Sequence, residues 1–266
     1  MSGSKYAYVK SYETPDNLLP GTFIVVRLDG HAFHNLSQKH SFIRPNDERA
    51  LQLMDNAARD VMDEFKDVVL AFGESDEYSF LFRKTTAVYK RRHAKILTTI
   101  TSLFTSSYVF HWHRYFPETP LQYPPTFDGR IVLYPSAQEV RDYFAWRQVD
   151  AHINNLYNTT FWALVQQGGE STTQAHHTLK GTVSKTKHEI LFSRFNINYN
   201  SLPERFRKGS VLVKEDTPVE GEVPEKAQSL DTRDLNNSKT SSQVVLHHCD
   251  IIKDDFWDAR PFLLSK

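Results

Sequence analysis

Apolar and polar positions switch between two periods along the first half of the chain. Thr22–Leu28 (TFIVVRL) is β-branched and apolar, which predicts a buried strand. A polar loop is expected from there to Arg44-Pro45. Asn46 then reads as an N-cap, with Asp47 and Glu48 in the first helical turn. Leu51, Met54, Ala58, Val61 and Phe65 recur at helical spacing and predict an amphipathic helix over Asp47–Phe65. Asp67–Phe72 and Tyr78–Phe82 read as two further strands, joined by the turn Gly73-Glu74-Ser75-Asp76. Ala87–Tyr115 predicts a long helix with Ile96, Ile100, Leu103 and Phe104 on one side, and Lys90, Arg91, Arg92 and Lys95 crowd its start. Phe127–Tyr134 is a fourth strand, between Pro124-Pro125 and Pro135.

The order is β-α-β-β-α-β, the ferredoxin-like unit. In that arrangement the first and third strands are antiparallel neighbours at the sheet centre. The end of the first then lies beside the start of the third, and Asp29 falls next to Asp76 and Glu77. Carboxylates distant in sequence converge on one sheet edge.

The second half has a different rhythm. Ser136 with Glu139 forms a capping box that opens a helix. A helical pattern runs from Asp150 to Gln167 and stops at Gly168-Gly169, and shorter helices are expected over Thr172–Leu179 and Ser184–Phe192. The fold class predicted is α+β, with a catalytic unit over residues 1–135 and a mainly helical second domain over 136–266. Lys214–Gln243 contains no aromatic residue and is rich in Pro, Glu, Ser, Asn and Lys, so a mobile insertion is expected there. The apolar tail Val244–Leu264 is expected to return to the body.

Composition narrows the classes. The 266 residues allow one large domain or two small ones. No stretch approaches the ~20 apolar residues of a membrane-spanning helix, so no membrane partner is expected. The opening MSGSKYAYVK lacks the apolar core of a secretory leader. The single cysteine, Cys249, suits a reducing compartment. Lys and Arg total 32 and balance 32 Asp and Glu, which excludes a generally basic nucleic-acid coat but leaves room for a local basic channel.

Asp29-Gly30 with Ser75-Asp76-Glu77 is the strongest chemical candidate. Mg²⁺ takes oxygen ligands, commonly one or two carboxylates plus substrate phosphates. Two such ions assist in-line phosphoryl displacement. Each dipeptide is also ordinary turn material. His31-Ala32-Phe33-His34 offers backbone amides to a triphosphate, or is a loop anchored by Phe33. The Lys90–Lys95 cluster suits phosphates, or is a solvated face. His152-Ile153-Asn154-Asn155-Leu156-Tyr157-Asn158-Thr159 suits hydrogen bonding to nucleotide or RNA, or is a polar seam. Lys185, Lys187, His188, Arg205, Arg207 and Lys208 form an RNA track or scattered surface charge. His247-His248-Cys249-Asp250 invites zinc, but adjacent ligands point apart and the chain has no second cysteine.

The chain resembles the tRNA-His guanylyltransferase family of eukaryotes, along essentially its whole length. Arg27-Leu28-Asp29-Gly30 with Phe33-His34 is similar to that family's first metal motif. Gly73 with Ser75-Asp76-Glu77-Tyr78-Ser79-Phe80 is similar to its second. The His152–Thr159 run, Asn196-Ile197-Asn198-Tyr199-Asn200, Arg207-Lys208-Gly209 and His248-Cys249-Asp250-Ile251-Ile252 are also family-like. His31 stands where Arg is frequent, and Glu74 where Gln is frequent.

The resemblance implies a polymerase-type palm and addition of one guanosine to the 5′ end of tRNA-His, at position −1. ATP adenylylates the 5′-monophosphate, the GTP 3′-hydroxyl displaces AMP, and pyrophosphate is then removed. It implies Asp29, Asp76 and the Gly30 carbonyl as ligands of two Mg²⁺ ions, with Glu77 supporting them. Backbone groups from Gly30 through His31, Ala32, Phe33 and His34, with Ser75, would hold nucleotide phosphates. Arg27 and Asp47 would position the nucleotide, and Arg92 and Lys95 would stabilise the transferring phosphates. His152, Lys187, Arg207 and Lys208 would contact tRNA. The resemblance further implies a homotetramer in the cytoplasm or nucleus. A nucleotidyl cyclase, sharing the palm, and a non-catalytic RNA-binding module are the competing classes.

Overall fold

The computed structural model describes residues 4–218 and 240–265. Six strands, β1 (Phe23–Gly30), β2 (Val68–Glu74), β3 (Glu77–Phe82), β4 (Phe127–Tyr134), β5 (Ser210–Pro218) and β6 (Thr240–His247), form one sheet. Their order is β4-β1-β3-β2-β5-β6, and every neighbouring pair is antiparallel. The helices are α1 (Phe33–Lys39), α2 (Glu48–Glu64), α3 (His93–Tyr115), α4 (Ala137–Gln166), α5 (Thr172–Leu179), α6 (Ser184–Phe195), α7 (Glu204–Lys208) and α8 (Asp254–Asp258).

Strand alternation decides which side chains meet which layer. Ile24, Val26 and Leu28 of β1, with Phe80 of β3, pack against Leu53 and Val61 of α2 and Ile100 and Phe104 of α3. Phe23 and Val25, with Leu81, face the other way and pack on Val140 and Phe144 of α4 and on Trp257 of α8. Arg27 and Asp29 follow Val25 in this second series, so both point to the α4 side at the end of β1. The expected return of the apolar tail is present: Phe256, Trp257 and Leu263 are buried, and the Trp257 indole donates to the Ile251 carbonyl at 2.9 Å.

Several elements differ from the sequence reading. The segment between β1 and Pro45 is not all loop, because Phe33 and Leu36, three residues apart, are buried and support α1. The N-cap of α2 is Asp47, whose carboxylate accepts the Arg49 amide; Asn46 instead donates to Asn155 on α4 at 2.9 Å. The long helix starts at His93 and not at Ala87. Tyr89, Lys90 and Arg91 have positive φ, and the buried Arg91 guanidinium donates to the carbonyls of Leu18, Leu19, Thr22 and Thr86. The positive φ values keep these residues out of the α-helix, and the Arg91 bonds hold the chain in that shape. α6 runs on to Phe195, past Phe192.

α4 is one helix of 30 residues that opens at the capping box of Ser136 and Glu139, as the sequence suggested, and runs unbroken through the pattern from Asp150. Its apolar stripe shifts round the axis. The N-terminal half packs on the sheet, while Leu156, Phe161, Ala163 and Leu164 pack on α5, α6 and Tyr199. Both ends of the expected mobile insertion at Lys214–Gln243 are strand instead. β5 continues to Pro218 and β6 starts at Thr240, and the rest of that expectation, residues 219–239, lies outside the described residues. β5 pairs with β2, so the second half contributes strands as well as helices and the sheet crosses the division expected at residue 136.

Candidate active site

Asp29 closes β1 and stands opposite Glu77, the first residue of β3. The Gly30 amide donates to the Asp76 carbonyl at 3.0 Å. The chain leaving β1 is thereby fastened to the β2–β3 turn, and the two aspartates share one sheet edge. Gly30 permits a close approach that no other residue does: a Cβ here would lie 2.4 Å from the Phe33 ring. That ring is packed against Tyr108 and Phe127.

Burial holds the Asp76 carboxyl above the ordinary carboxylate range, and repulsion from Asp29 and Glu77 adds to it. The Ser75 hydroxyl, 3.0 Å from Asp76, pulls the other way. Burial pushes Glu74 up to about 8, with Glu77 adding to the shift and Arg147 opposing it. The edge is therefore a crowd of carboxylates short of positive charge, which favours a cation.

Arg147 supplies part of that charge. It is buried in mid-α4 and donates to both oxygens of Glu77, at 2.6 and 3.0 Å, to Glu74 at 3.2 Å and to Asp150 at 3.0 Å. Arg27 bonds Glu77 from the other side and reaches Asp29 at 3.2 Å. Glu77 is thus committed to two guanidinium groups and is not an open ligand. Arg27 faces α4 beside Asp29, which it partly neutralises, and neither of the two lines the cleft described next.

In front of Gly30 and Asp76 opens a cleft of about 410 Å³. Ala32, Phe33, His34, Ser75, Asp47 and Asn158 line it, as the sequence suggested; Tyr108 and the loop Phe42–Asn46 are additions. Ala32 adopts a left-handed conformation that starts α1. His31 points away, its amide bonded to the Thr126 carbonyl at 2.9 Å. Burial alone would raise Asp47, but hydrogen bonds from Arg49 and the Ile43 amide outweigh it and hold this carboxyl below the usual range.

Arg92 and Lys95 are not brought to this cleft. They sit where α3 begins, beside Asp16, which Arg92 contacts at 3.1 Å. The neighbouring Arg91 bonds Thr22, at the opposite end of β1 from Asp29. A strand of that length separates them by roughly 25 Å within the chain. Their expected role on the transferring phosphates is therefore not met by this chain's own geometry, because α3 starts at the far sheet edge and runs back.

The expected RNA-contact residues lie towards the distal half of α4. His152 packs against His188 and Tyr199, and burial lowers its imidazole, with His188 and Arg207 adding to the shift. Lys187 donates to the Thr182 carbonyl, Arg207 to the Leu202 carbonyl and Lys208 to Glu204. Arg205 is drawn inward to Asp55 at 2.5 Å. His247 bonds Glu215 and His248 bonds the Gly209 carbonyl, which divides the zinc-like run between separate partners.

Arg147 is the residue that sequence reasoning missed. Its signal was present: Val140, Phe144, Arg147 and Ala151 recur at helical spacing, and a charge in a buried stripe implies a buried partner.

Among the described residues no group of three His, Cys, Asp or Glu side chains is placed to enclose a metal ion. Asp29, Asp76 and the Gly30 carbonyl offer a partial oxygen shell that substrate phosphates and water would complete. That donor set fits Mg²⁺, and the surplus negative charge fits it too.

Comparison with known proteins agrees along the chain. A family model described as tRNAHis guanylyltransferase matches residues 6–135, and one described as the Thg1 C terminal domain matches residues 138–253. A tRNA(His) guanylyltransferase of Schizosaccharomyces pombe is 51% identical over 263 residues, covering 99% of this chain and 98% of its own length. One from Neurospora crassa is 50% identical over 283 residues, covering 100% of this chain and 97% of its own length. The crystal structure of the Saccharomyces cerevisiae tRNA(His) guanylyltransferase is 48% identical and superposes with a TM-score of 0.76, covering 79% of this chain and 93% of that one. The chain belongs to the tRNA(His) guanylyltransferase family and is a nucleotidyltransferase.

Proposed function

We propose that this chain adds a guanosine to the 5′ end of tRNA(His), at position −1, in the cleft beside Asp29 and Asp76. The observation that carries this reading is the Gly30–Asp76 backbone hydrogen bond, which fastens the strand end bearing Asp29 to the turn bearing Asp76, beside a nucleotide-sized cavity that Gly30 and Asp76 line. The strand order β4-β1-β3-β2 is that of a ferredoxin-like palm, with residues 1–135 as the catalytic unit and 136–266 as the RNA-facing unit.

ATP occupies the cleft first and GTP afterwards. The open amides in the first turn of α1 and the Ser75 hydroxyl receive phosphate oxygens. Asp29, Asp76 and the Gly30 carbonyl would hold two Mg²⁺ ions, which would supply Lewis-acid assistance to the transfer. The Phe33 ring and Tyr108 form the apolar wall against the nucleotide. Arg27 and Arg147 oppose the burial that raises the Glu77 carboxyl and hold it in place, so the aspartates remain oriented. The first transfer joins AMP to the RNA 5′-phosphate and releases pyrophosphate. The second joins that phosphate to the GTP 3′-oxygen and releases AMP. Removal of pyrophosphate completes the addition.

His152, Lys187, Arg207 and Lys208 serve the RNA. A homotetramer, active in the cytoplasm or nucleus, completes the proposal: one subunit reacts while another reads distant parts of the tRNA. The apolar groove along α3 and β4, where Phe110 is 81% exposed, supports self-association. Sedimentation showing only monomer would remove that part.

The test is single-turnover incubation of 5′-³²P-labelled tRNA(His) with ATP, GTP and Mg²⁺, wild type beside Asp76→Asn. A one-nucleotide extension with the wild type alone is expected. Neither extension nor adenylylated RNA, from a folded wild type that binds tRNA, overturns the reading in favour of a binding module. Cyclic product from nucleotide alone overturns it in favour of a cyclase.

A further inference from the structure

The cleft has a second compartment. A smaller cavity of about 140 Å³ lies behind Ser75 and shares Arg44, Asn46, Ser75 and Asn158 with the first as common walls. It is bounded by the end of β2, by α4 and by the α7–β5 junction.

Most polar groups around it are already engaged. Asn155 accepts from Asn46 at 2.9 Å and donates to the Tyr199 hydroxyl at 3.0 Å. Arg205 is turned to Asp55, and Glu74 accepts from Arg147. The amides of Asn154 and Asn158 remain exposed, one helical turn apart on α4, and both border the cavity. Asn158 borders both compartments.

Nucleotidyl transfer needs two reactants at one pair of carboxylates. The larger compartment suits the nucleoside triphosphate. The smaller one is well below the roughly 300–1,000 Å³ of cavities that enclose a whole small-molecule ligand. It therefore has room for the base or the ribose of one terminal residue, with the remainder of a longer chain outside. Arg44, the cation on the wall shared with the larger compartment, is bonded to the Ser37 hydroxyl; the groups left open on α4 are neutral amides, each offering donors and an acceptor. Such groups match the edge of a base or a ribose hydroxyl; a phosphate would call for free cations.

We infer that this second compartment receives the 5′-terminal nucleoside of the RNA substrate, and that Asn154 and Asn158 hydrogen-bond it. The inference rests on the proposed reaction and adds a specificity subsite to it. The terminal residue enters past Ser75, so its 5′-phosphate faces Asp29 and Asp76 from the side opposite the incoming nucleotide. Asn158, on the shared wall, touches both reactants; Asn154 touches the RNA alone.

The test has two arms. Steady-state kinetics of Asn154→Ala should raise KM for tRNA about fivefold, the loss of one neutral hydrogen bond, and leave KM for ATP within twofold. Both asparagines are exposed, so the variants fold. In the second arm, RNA carrying a 5′-phosphate and a 5′-terminal 6-thioguanosine is photocrosslinked to the wild type and mapped by mass spectrometry. A crosslink within Ala151–Asn158 is expected. A rise in KM for ATP with KM for tRNA unchanged, or crosslinks that avoid this stretch of α4, would overturn the inference. The crosslink is read without turnover. A wild type that extends no tRNA but crosslinks at α4 therefore fails the proposed reaction while keeping the subsite.

Discussion

Arg147 and Glu77 meet through two hydrogen bonds, 2.6 and 3.0 Å long, between mid-α4 and the first residue of β3. Glu77 in turn faces Asp29 across the strand pair and shares Arg27 with it. Four alternating charges run from the helix to the candidate metal ligand. A buried ion pair of this kind adds little net stability over an apolar pair, yet breaking it is costly.

Arg147→Met leaves Glu74, Glu77 and Asp150 with one fewer cation and should cost about 3–5 kcal/mol in urea unfolding. Adding Glu77→Gln to that variant should cost less than the sum of the two single changes, because both remove the same pairing. Strict additivity would mean that the two side chains do not act as one unit.

Asp76→Asn should abolish guanosine addition while raising the melting temperature of the metal-free protein. The Asp76 carboxyl is held above its ordinary value, so the penalty for ionising it is present above that value and vanishes as pH falls through it. At neutral pH the asparagine avoids that penalty. Calorimetry without divalent ions checks this, and a lower melting temperature would contradict it.

Lys214 gives a pH prediction away from the active site. It is buried in β5, donates to the Phe65 carbonyl at 2.9 Å, and burial lowers its ammonium to about 8. Below pH 8 it is charged in both states and the folded protein carries the desolvation cost. Between pH 8 and about 10.5 the unfolded chain alone stays protonated, so stability rises with pH, by up to roughly 3 kcal/mol. Lys214→Met lacks this term. Its stability relative to wild type, from urea midpoints, should therefore be greatest near pH 7 and decline towards pH 10.

Gly30→Ala should displace the Phe33 ring, since the new methyl would stand 2.4 Å from it. The expected cost is about 1–3 kcal/mol of stability, with loss of ATP affinity as the first turn of α1 moves. Nucleotide binding by calorimetry reads the second effect directly. An Ala variant binding ATP as the wild type does would show that Phe33 leaves the nucleotide loop undisturbed.

Local chemistry made some elements legible in advance. Phe127–Tyr134 and Thr172–Leu179 have the bounds their prolines and capping residues announce. The meeting of Asp29 with Asp76 followed from strand order alone, because antiparallel neighbours bring an end to a beginning. What stayed hidden depended on distant partners. Arg91 reads as one more surface cation until its carbonyl partners from Leu18 to Thr86 are seen. Lys214 reads as the start of a polar insertion, yet Val211, Leu212 and Val213 before it are core residues facing β2. Arg92 and Lys95 were matched to phosphates by charge, and charge carries no information about which sheet edge a helix starts from.

The pairing of β2 with β5 also sets an order of assembly. Until Ser210–Val213 has left the ribosome, β2 presents a bare edge made of Leu70, Ala71 and Phe72, residues of the kind that recruit other chains. The turn bearing Asp76 hangs from that same strand. A nascent chain stopped at residue 135 would hold every carboxylate of the candidate metal site and still lack both the strand that closes β2 and the arginine that quiets Glu77. Such a fragment is expected to aggregate before it catalyses, and competence for chemistry arrives only once Ser210–Val213 has emerged and paired with β2.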